Sequence, residues 1–220
     1  GVEKIGLEVF PCGTAGFVLN TTPVKFNEII VDEENEQYTI IDGALCSKDG
    51  KVLVTYPSQL SVIEYHVPEG IVEIATRAFE GCNSLKKLII SQTVTTIGTY
   101  AFASMASLEE VVLPESLDVL GKSVFESCKN LKRIIWPKDL KKIGEKCFYD
   151  AGINNLEIPS TVEFVESYAF AFIKAKRVVL PKTIKMIEGG AFAGIEVIEV
   201  YETIFDANLA KEYADDSCGR

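Results

Sequence analysis

Phenylalanine recurs at Phe79, Phe102, Phe125, Phe148, Phe170 and Phe192, in steps of 23, 23, 23, 22 and 22 residues. Self-similarity at such a period constrains a chain more than composition does, because each unit must be one copy of the same supersecondary element. The residue before each ring is small or apolar: Ala78, Ala101, Val124, Cys147, Ala169 and Ala191. Two apolar columns precede it in every unit. One is Ile71, Val94, Leu117, Leu140, Val162, Ile184, and the other is Ile74, Ile97, Leu120, Ile143, Val165, Ile187. After the ring come hexads of one pattern: Leu85-x-x-Leu88-x-Ile90, Leu108-x-x-Val111-x-Leu113, Leu131-x-x-Ile134-x-Trp136 and Ile153-x-x-Leu156-x-Ile158. Pro68, Pro114, Pro137, Pro159 and Pro181 close the units, with Ser91 in the remaining place.

The apolar-x-apolar end of the hexad has strand periodicity. A proline just past it removes a ladder donor and ends pairing. Each unit is therefore expected to be a short strand, a turn, a second extended stretch, and a turn or short helix around the ring. One unit cannot bury its apolar face alone, so the units stack and share a core. Upstream, Val62-x-x-Tyr65-x-Val67 fits the hexad, and Phe26-x-x-Ile29-x-Val31 is expected as a first rung. Between them, Asp42-Gly43 and Lys48-Asp49-Gly50 mark turns, with Ala44–Ser47 and Lys51–Tyr56 as flanking strands of an inserted hairpin. Downstream the last unit is two residues short, with Ile198 and Val200 as its strand, and Asp206 is expected to cap a closing helix through Tyr213. Eight rungs would make a sheet roughly 34 Å long.

A 22–23-residue period with this hexad matches the leucine-rich repeat. Residues 67–85, Val-Pro-Glu-Gly-Ile-Val-Glu-Ile-Ala-Thr-Arg-Ala-Phe-Glu-Gly-Cys-Asn-Ser-Leu, resemble the BspA-like type of that repeat, and residues 41–57 resemble the hairpin that often interrupts such arrays. The resemblance covers about residues 24–204. It implies a right-handed solenoid, mainly β with short helical turns and a parallel sheet on one face. It also implies a module of secreted or surface-attached microbial proteins that binds host proteins or other cells, with no catalytic residues to carry over. The expected organisation is a single domain: residues 1–61 an N-terminal cap with the hairpin, 62–204 regular repeats, and 205–220 a C-terminal cap helix and tail.

Charge narrows the partners. The net charge is −10, with 12 acids against 4 bases in residues 1–75, 13 against 16 in 76–194, and 7 against 2 in 195–220. Two acidic ends around a near-neutral middle do not make a nucleic-acid groove, which needs clustered Lys and Arg. No apolar stretch is long enough to span a membrane. A first residue of Gly1 rather than Met is expected of a chain processed or cut from a longer product.

Few residues carry chemistry. The six cysteines match no zinc spacing, and there is one histidine to assist them. Cys82 and Cys128 share a column with Met105, Ala151, Ile173 and Ile195, and Cys147 lies in the small-residue column, so all three are expected to be buried free thiols. Cys82 and Cys128 would stand two rungs apart, about 9–10 Å, too far to bridge. Cys12, Cys46 and Cys218 lie outside the regular units, and their state is left open. The acidic run 32–36 lacks the spaced acids and glycine of a calcium loop and is expected to be a solvated turn. Asn20-Thr21-Thr22 fits a glycosylation sequon. No phosphate loop, nucleophile elbow or paired-carboxylate motif is present. No enzyme activity, cofactor or metal is expected.

The outward strand column reads His66, Ile89, Val112, Ile135, Glu157, Val179, Glu199. Acid–base work at His66 would need oriented neighbours, and none recurs there. Ile89, Val112 and Ile135 form a β-branched stripe. Strand propensity alone accounts for it, while a binding or self-association surface would use the same three side chains. The two preceding places alternate in sign: Lys86-Lys87, Glu109-Glu110, Lys132-Arg133, Asn154-Asn155, Lys176-Arg177. Opposite charges on adjacent strands contribute roughly 0.2–1 kcal/mol each and set register. Trp136 takes an inward place. The expectation is protein binding through His66, Ile89, Val112, Ile135 and Val179, flanked by Lys86, Glu109 and Lys132. The partner class is a host extracellular-matrix or cell-surface protein, without nucleic acid or membrane insertion. A structural spacer within a longer surface array is the alternative.

Overall fold

The computed structural model describes residues 28–58 and 60–200. The chain winds as a β-solenoid. The hexads form β4 (Glu64–His66), β6 (Lys87–Ile89), β8 (Glu110–Val112), β10 (Arg133–Ile135), β12 (Leu156–Glu157), β14 (Arg177–Leu180) and β16 (Val197–Val200). All pairing among them is parallel, with each residue opposite its repeat counterpart, as in Leu88 against Val111 and Val111 against Ile134. The second extended stretch forms two further parallel ladders. One holds β5 (Glu73–Ile74) and β7 (Thr96–Ile97), and the other holds β9 (Val119–Leu120), β11 (Lys142–Ile143), β13 (Phe164–Val165) and β15 (Met186–Ile187).

The rings stack as the period requires. From Phe79 to Phe192 successive centroids lie 5.2–5.6 Å apart, and the five rings from Phe79 to Phe170 are fully buried. Backbone amides follow the same step: Phe125 N donates to Cys147 O and Phe170 N to Ala191 O, both at 2.8 Å. The small-residue column thus serves as the acceptor row for the ring column below it. Tyr56 extends the stack upstream, 5.0 Å from Phe79 and buried, and its N–H donates to Ala78 O at 2.9 Å.

The inserted segment is a three-stranded meander. β1 (Tyr38–Ile41) and β2 (Ala44–Ser47) pair antiparallel through Asp42 and Gly43, whose φ values of 45° and 79° are those of a two-residue hairpin turn. β3 (Val52–Thr55) pairs antiparallel with β2 and parallel with β5, so the hairpin's last strand is also the first rung of the β5–β7 ladder. At Ser91, where other units have proline, the hydroxyl accepts the Thr93 N–H at 3.1 Å, and Val94 N closes the turn on Ser91 O. A serine turn does there what fixed proline φ does elsewhere.

Three expectations are corrected. No helix occurs among the described residues: the segments around the rings are hydrogen-bonded turns. Two residues from each ring, on both sides, the backbone is left-handed. Arg77, Tyr100, Ser123, Lys146 and Tyr168 precede the ring with φ of 54–62°, and Ser104, Ser127, Asp150 and Phe172 follow it with φ of 56–59°. Alternate amides in the turn then all point at the next coil, which a helix would forbid by turning its N–H groups along its own axis. Second, Ile29 and Val31 lie in no strand, and Ile30 is 84% exposed, so the expected rung there is absent; Phe26 lies outside the described residues. Third, the seven hexad strands form not one sheet but sheets of four and three, parting between β10 and β12. The expected cap helix at 206–213 and Asn20 lie outside the described residues.

Left-handed backbone costs a non-glycine residue about 1–2 kcal/mol, part of which is offset because glycine has more entropy to lose. Ser104→Gly is therefore expected to raise unfolding free energy by about 0.5–1 kcal/mol, measured by urea denaturation. A fall in stability would show that the Ser104 side chain contributes more than its backbone conformation costs.

Candidate binding surface

Parallel registration places His66, Ile89, Val112 and Ile135 in one line across four hydrogen-bonded strands. Alternation along each strand sends Tyr65, Leu88, Val111 and Ile134 inward and this line outward. Ile135 is 38% exposed, whereas Ile89 and Val112 are half-buried between neighbouring rungs. Val179 does not join the line. It sits in the second sheet, paired with Glu157 on one side and Glu199 on the other.

The charged columns pair across rungs as their alternation predicts. Lys86 reaches Glu109 at 3.5 Å, Lys87 reaches Glu64 at 3.5 Å and Glu110 at 3.9 Å, and Arg133 reaches Glu110 at 3.1 Å. These groups are exposed or half-exposed, so each pair contributes little to stability. Their effect is to hold extended side chains in place beside the apolar line. His66 Nε2 lies 2.9 Å from Glu64 Oε1 and is itself exposed. That hydrogen bond, and then Lys87, hold the Glu64 carboxyl below its ordinary range. A single exposed carboxylate beside a single imidazole gives no oriented acid–base pair.

The described thiols are core groups. Cys46, Cys82, Cys128 and Cys147 are fully buried, and Cys128 Sγ donates to Phe102 O at 3.0 Å. Burial pushes Cys46 up to about 11 and Cys128 up to about 12, and raises Cys147 as well, so these thiols stay protonated and unreactive. Cys12 and Cys218 lie outside the described residues. In the acidic run, the Asp32 carboxylate accepts Glu34 N at 2.9 Å and Asn35 Oδ1 accepts Tyr38 N at 2.8 Å, an Asx-turn pattern. Among the described residues no group of three or more His, Cys, Asp or Glu side chains could hold a metal ion.

Two features of this surface were not anticipated from the sequence. Where the sheet parts, Ile134 and Trp136 are only half-buried, although their counterparts Leu88, Ile90, Val111 and Leu113 are buried. The Trp136 indole still packs edge-on against Phe148 at 5.5 Å. Past the seam, a groove of about 620 Å³ opens over β12 and β14, lined by Asn155, Glu157, Ser160, Arg177, Val179 and Lys182 among others.

Repeat length, stacked rings and exposed parallel strands converge with a family comparison. The model of the BspA-type leucine-rich repeat region matches residues 55–173 and 141–211, with six copies. The chain belongs to the BspA-type leucine-rich repeat family. A comparison with functionally curated proteins finds no match. Among solved structures, this BspA-type chain is similar to a leucine-rich repeat protein from Eubacterium ventriosum, with 18% identity and a TM-score of 0.67 over 83% of this chain and 56% of that one. It is similar to the pneumococcal vaccine antigen PcpA, with 26% identity and a TM-score of 0.53 over 82% of this chain and 41% of that one. A leucine-rich cell surface protein from Faecalibacterium prausnitzii shares 24% identity and a TM-score of 0.56, over 82% and 43%. This BspA-type chain thus spans about half the length of these three proteins. No helix among the described residues is long and apolar enough to cross a membrane.

Proposed function

We propose that this chain is a non-enzymatic protein-binding, adhesive module of a secreted or cell-surface protein, engaging its partner through the exposed strand face. The observation that carries this reading is the four-rung line of His66, Ile89, Val112 and Ile135, framed by cross-rung ion pairs. A partner laid over it meets apolar β-branched surface at the centre and fixed charge at the rim, the composition of a protein interface. Lys86, Glu109 and Lys132 form that rim. Val179 extends the surface past the seam. The names of two similar proteins, a pneumococcal vaccine antigen and a leucine-rich cell surface protein, support an extracellular setting and a host extracellular-matrix or cell-surface protein as partner. Alternating acidic rungs cancel the field that nucleic acid would need. In this reading the chain is one domain, with residues 1–61 and 205–220 closing the ends of the array.

Val112→Glu places a charge at the centre of the line on a side chain that is not in the core. It is expected to weaken binding to a panel of extracellular-matrix proteins by tenfold or more, about 1.4 kcal/mol, with an unchanged thermal midpoint. Unchanged binding by surface plasmon resonance would remove this face from consideration. The second reading, a spacer within a longer surface array, draws on the chain's matching 41–56% of its structural relatives' length. It predicts that the isolated chain binds no member of the panel.

A further inference from the structure

The sign alternation of the strand face breaks at one rung. Basic Lys86-Lys87, acidic Glu109-Glu110 and basic Lys132-Arg133 should be followed by two carboxylates, and the chain instead has Asn154-Asn155 before the basic Lys176-Arg177. The acidic rung at Glu109-Glu110 shows what is missing, since it pairs on both sides, with Lys86 and Lys87 and with Arg133. Past the amide rung, Lys176 and Arg177 turn the other way and pair with Glu196 and Glu199. Lys132 has no carboxylate partner among the described residues. Both asparagines are exposed and lie outside the core, and Asn155 uses its amide only in a surface contact with Glu157.

The groove over β12 and β14 lies at this same rung, and β12 is also the edge that faces the open seam. Within the lining, Glu157 is the single acid, and it is occupied by Asn155 Nδ2 at 3.2 Å. Arg177 and Lys182 line the other side. The geometry points to an acidic, extended segment of a protein partner as the occupant of this groove, its carboxylates standing at the level of β12 in place of the missing acidic rung. The inference rests on the strand face being the binding surface. A peptide fits better than a sulfated glycan because Ile135 and Val179 flank the amide rung with apolar surface, and the two asparagine amides can both donate to and accept from a peptide backbone. Charge complementarity here is local: residues 76–194, which hold the groove, carry 16 bases against 13 acids, while the acidic excess behind the whole chain's −10 lies in residues 1–75 and 195–220.

Titration calorimetry of the full chain at low salt tests this with acetylated hexaglutamate, alongside hexalysine and a heparin hexasaccharide. Hexaglutamate is expected to bind and to weaken as salt rises. The double variant Asn154→Glu/Asn155→Glu, which fills the rung from within, should weaken it tenfold or more while holding or raising the thermal midpoint. Asn154→Gln/Asn155→Gln should bind as the unaltered chain does. No heat with hexaglutamate, equal affinity for the double Glu variant, or binding of heparin in its place would each overturn the proposal. If matrix-protein binding is lost in Val112→Glu while hexaglutamate gives no heat, the strand-face reading stands and the acidic-segment reading fails alone. If hexaglutamate binding is lost in the double Glu variant while Val112→Glu changes nothing, the groove is supported and the apolar line is not.

Discussion

Phe125→Ala is expected to lower the unfolding free energy by about 3–5 kcal/mol, the range for removing a large buried aromatic from a close-packed core. The ring is fully buried and sits between Phe102 at 5.2 Å and Phe148 at 5.3 Å, the latter tilted by only 7°. Its removal takes away two ring contacts as well as buried area, and neither flanking ring can collapse inward, because each is held by its own amide bond to the next coil. A solenoid is stabilised through nearest-neighbour interfaces, so a central cavity weakens the coupling between its halves. Urea denaturation followed by circular dichroism should show both a lower midpoint and a broader transition. Phe192→Ala is the comparison: this ring is 5% exposed and, among the described residues, stacks only on Phe170, so its loss should cost distinctly less. A shift near zero for Phe125→Ala would contradict the ring register itself.

That register was legible because it is written in apolar identity. Six rings, two apolar columns and the hexad recur at one spacing, and burial follows type and period with little help from tertiary context. The upstream end was harder. Tyr56 keeps the step of 23 to Phe79, but the hairpin around it replaces the usual hexad and hides the match. Phe26-x-x-Ile29-x-Val31 had the right pattern, yet Ile29 and Val31 lie in no strand, and pattern alone does not make a rung. The left-handed turns were illegible for another reason. Glycine marks that conformation at Gly81, Gly190 and Gly194, while Arg, Tyr, Ser, Lys, Asp and Phe adopt it elsewhere. There the inter-coil hydrogen bonds override local preference, a tertiary effect that composition does not record. On the candidate surface, outward direction and charge pairing followed from alternation. The seam and groove did not, because they depend on how two coils of unequal length meet.

That meeting point yields the last expected result. From Phe125 to Leu131 the connection is six residues, while from Phe148 to Ile153 it is five. The shortened coil must pass directly over its predecessor, and it does so at Gly152, whose N–H donates to Cys128 O at 3.0 Å. A Cβ at Gly152 would lie 2.2 Å from Lys129 O and 2.6 Å from Lys129 C, backbone atoms with no rotamer to yield. The next coil is equally short, so it stacks on one of its own length, and Lys174 is accommodated at the matching place with its Nζ bonded to that same Lys129 carbonyl at 3.0 Å. At this place in the coil, held by Lys129, Gly152 and Lys174 in successive units, glycine is thus required only where a six-residue connection meets a five-residue one. Gly152→Ala is expected to cost about 3 kcal/mol, the upper part of the usual range for overpacking, since relief requires moving one coil off another. Gly121→Ala is the control: its nearest neighbour would be 3.7 Å away, an ordinary contact, and the substitution should be neutral or stabilise by up to about 1 kcal/mol. Equal midpoints for the two variants in thermal denaturation would mean that the short connection is not held against Lys129, and that the parting of β10 from β12 has another cause.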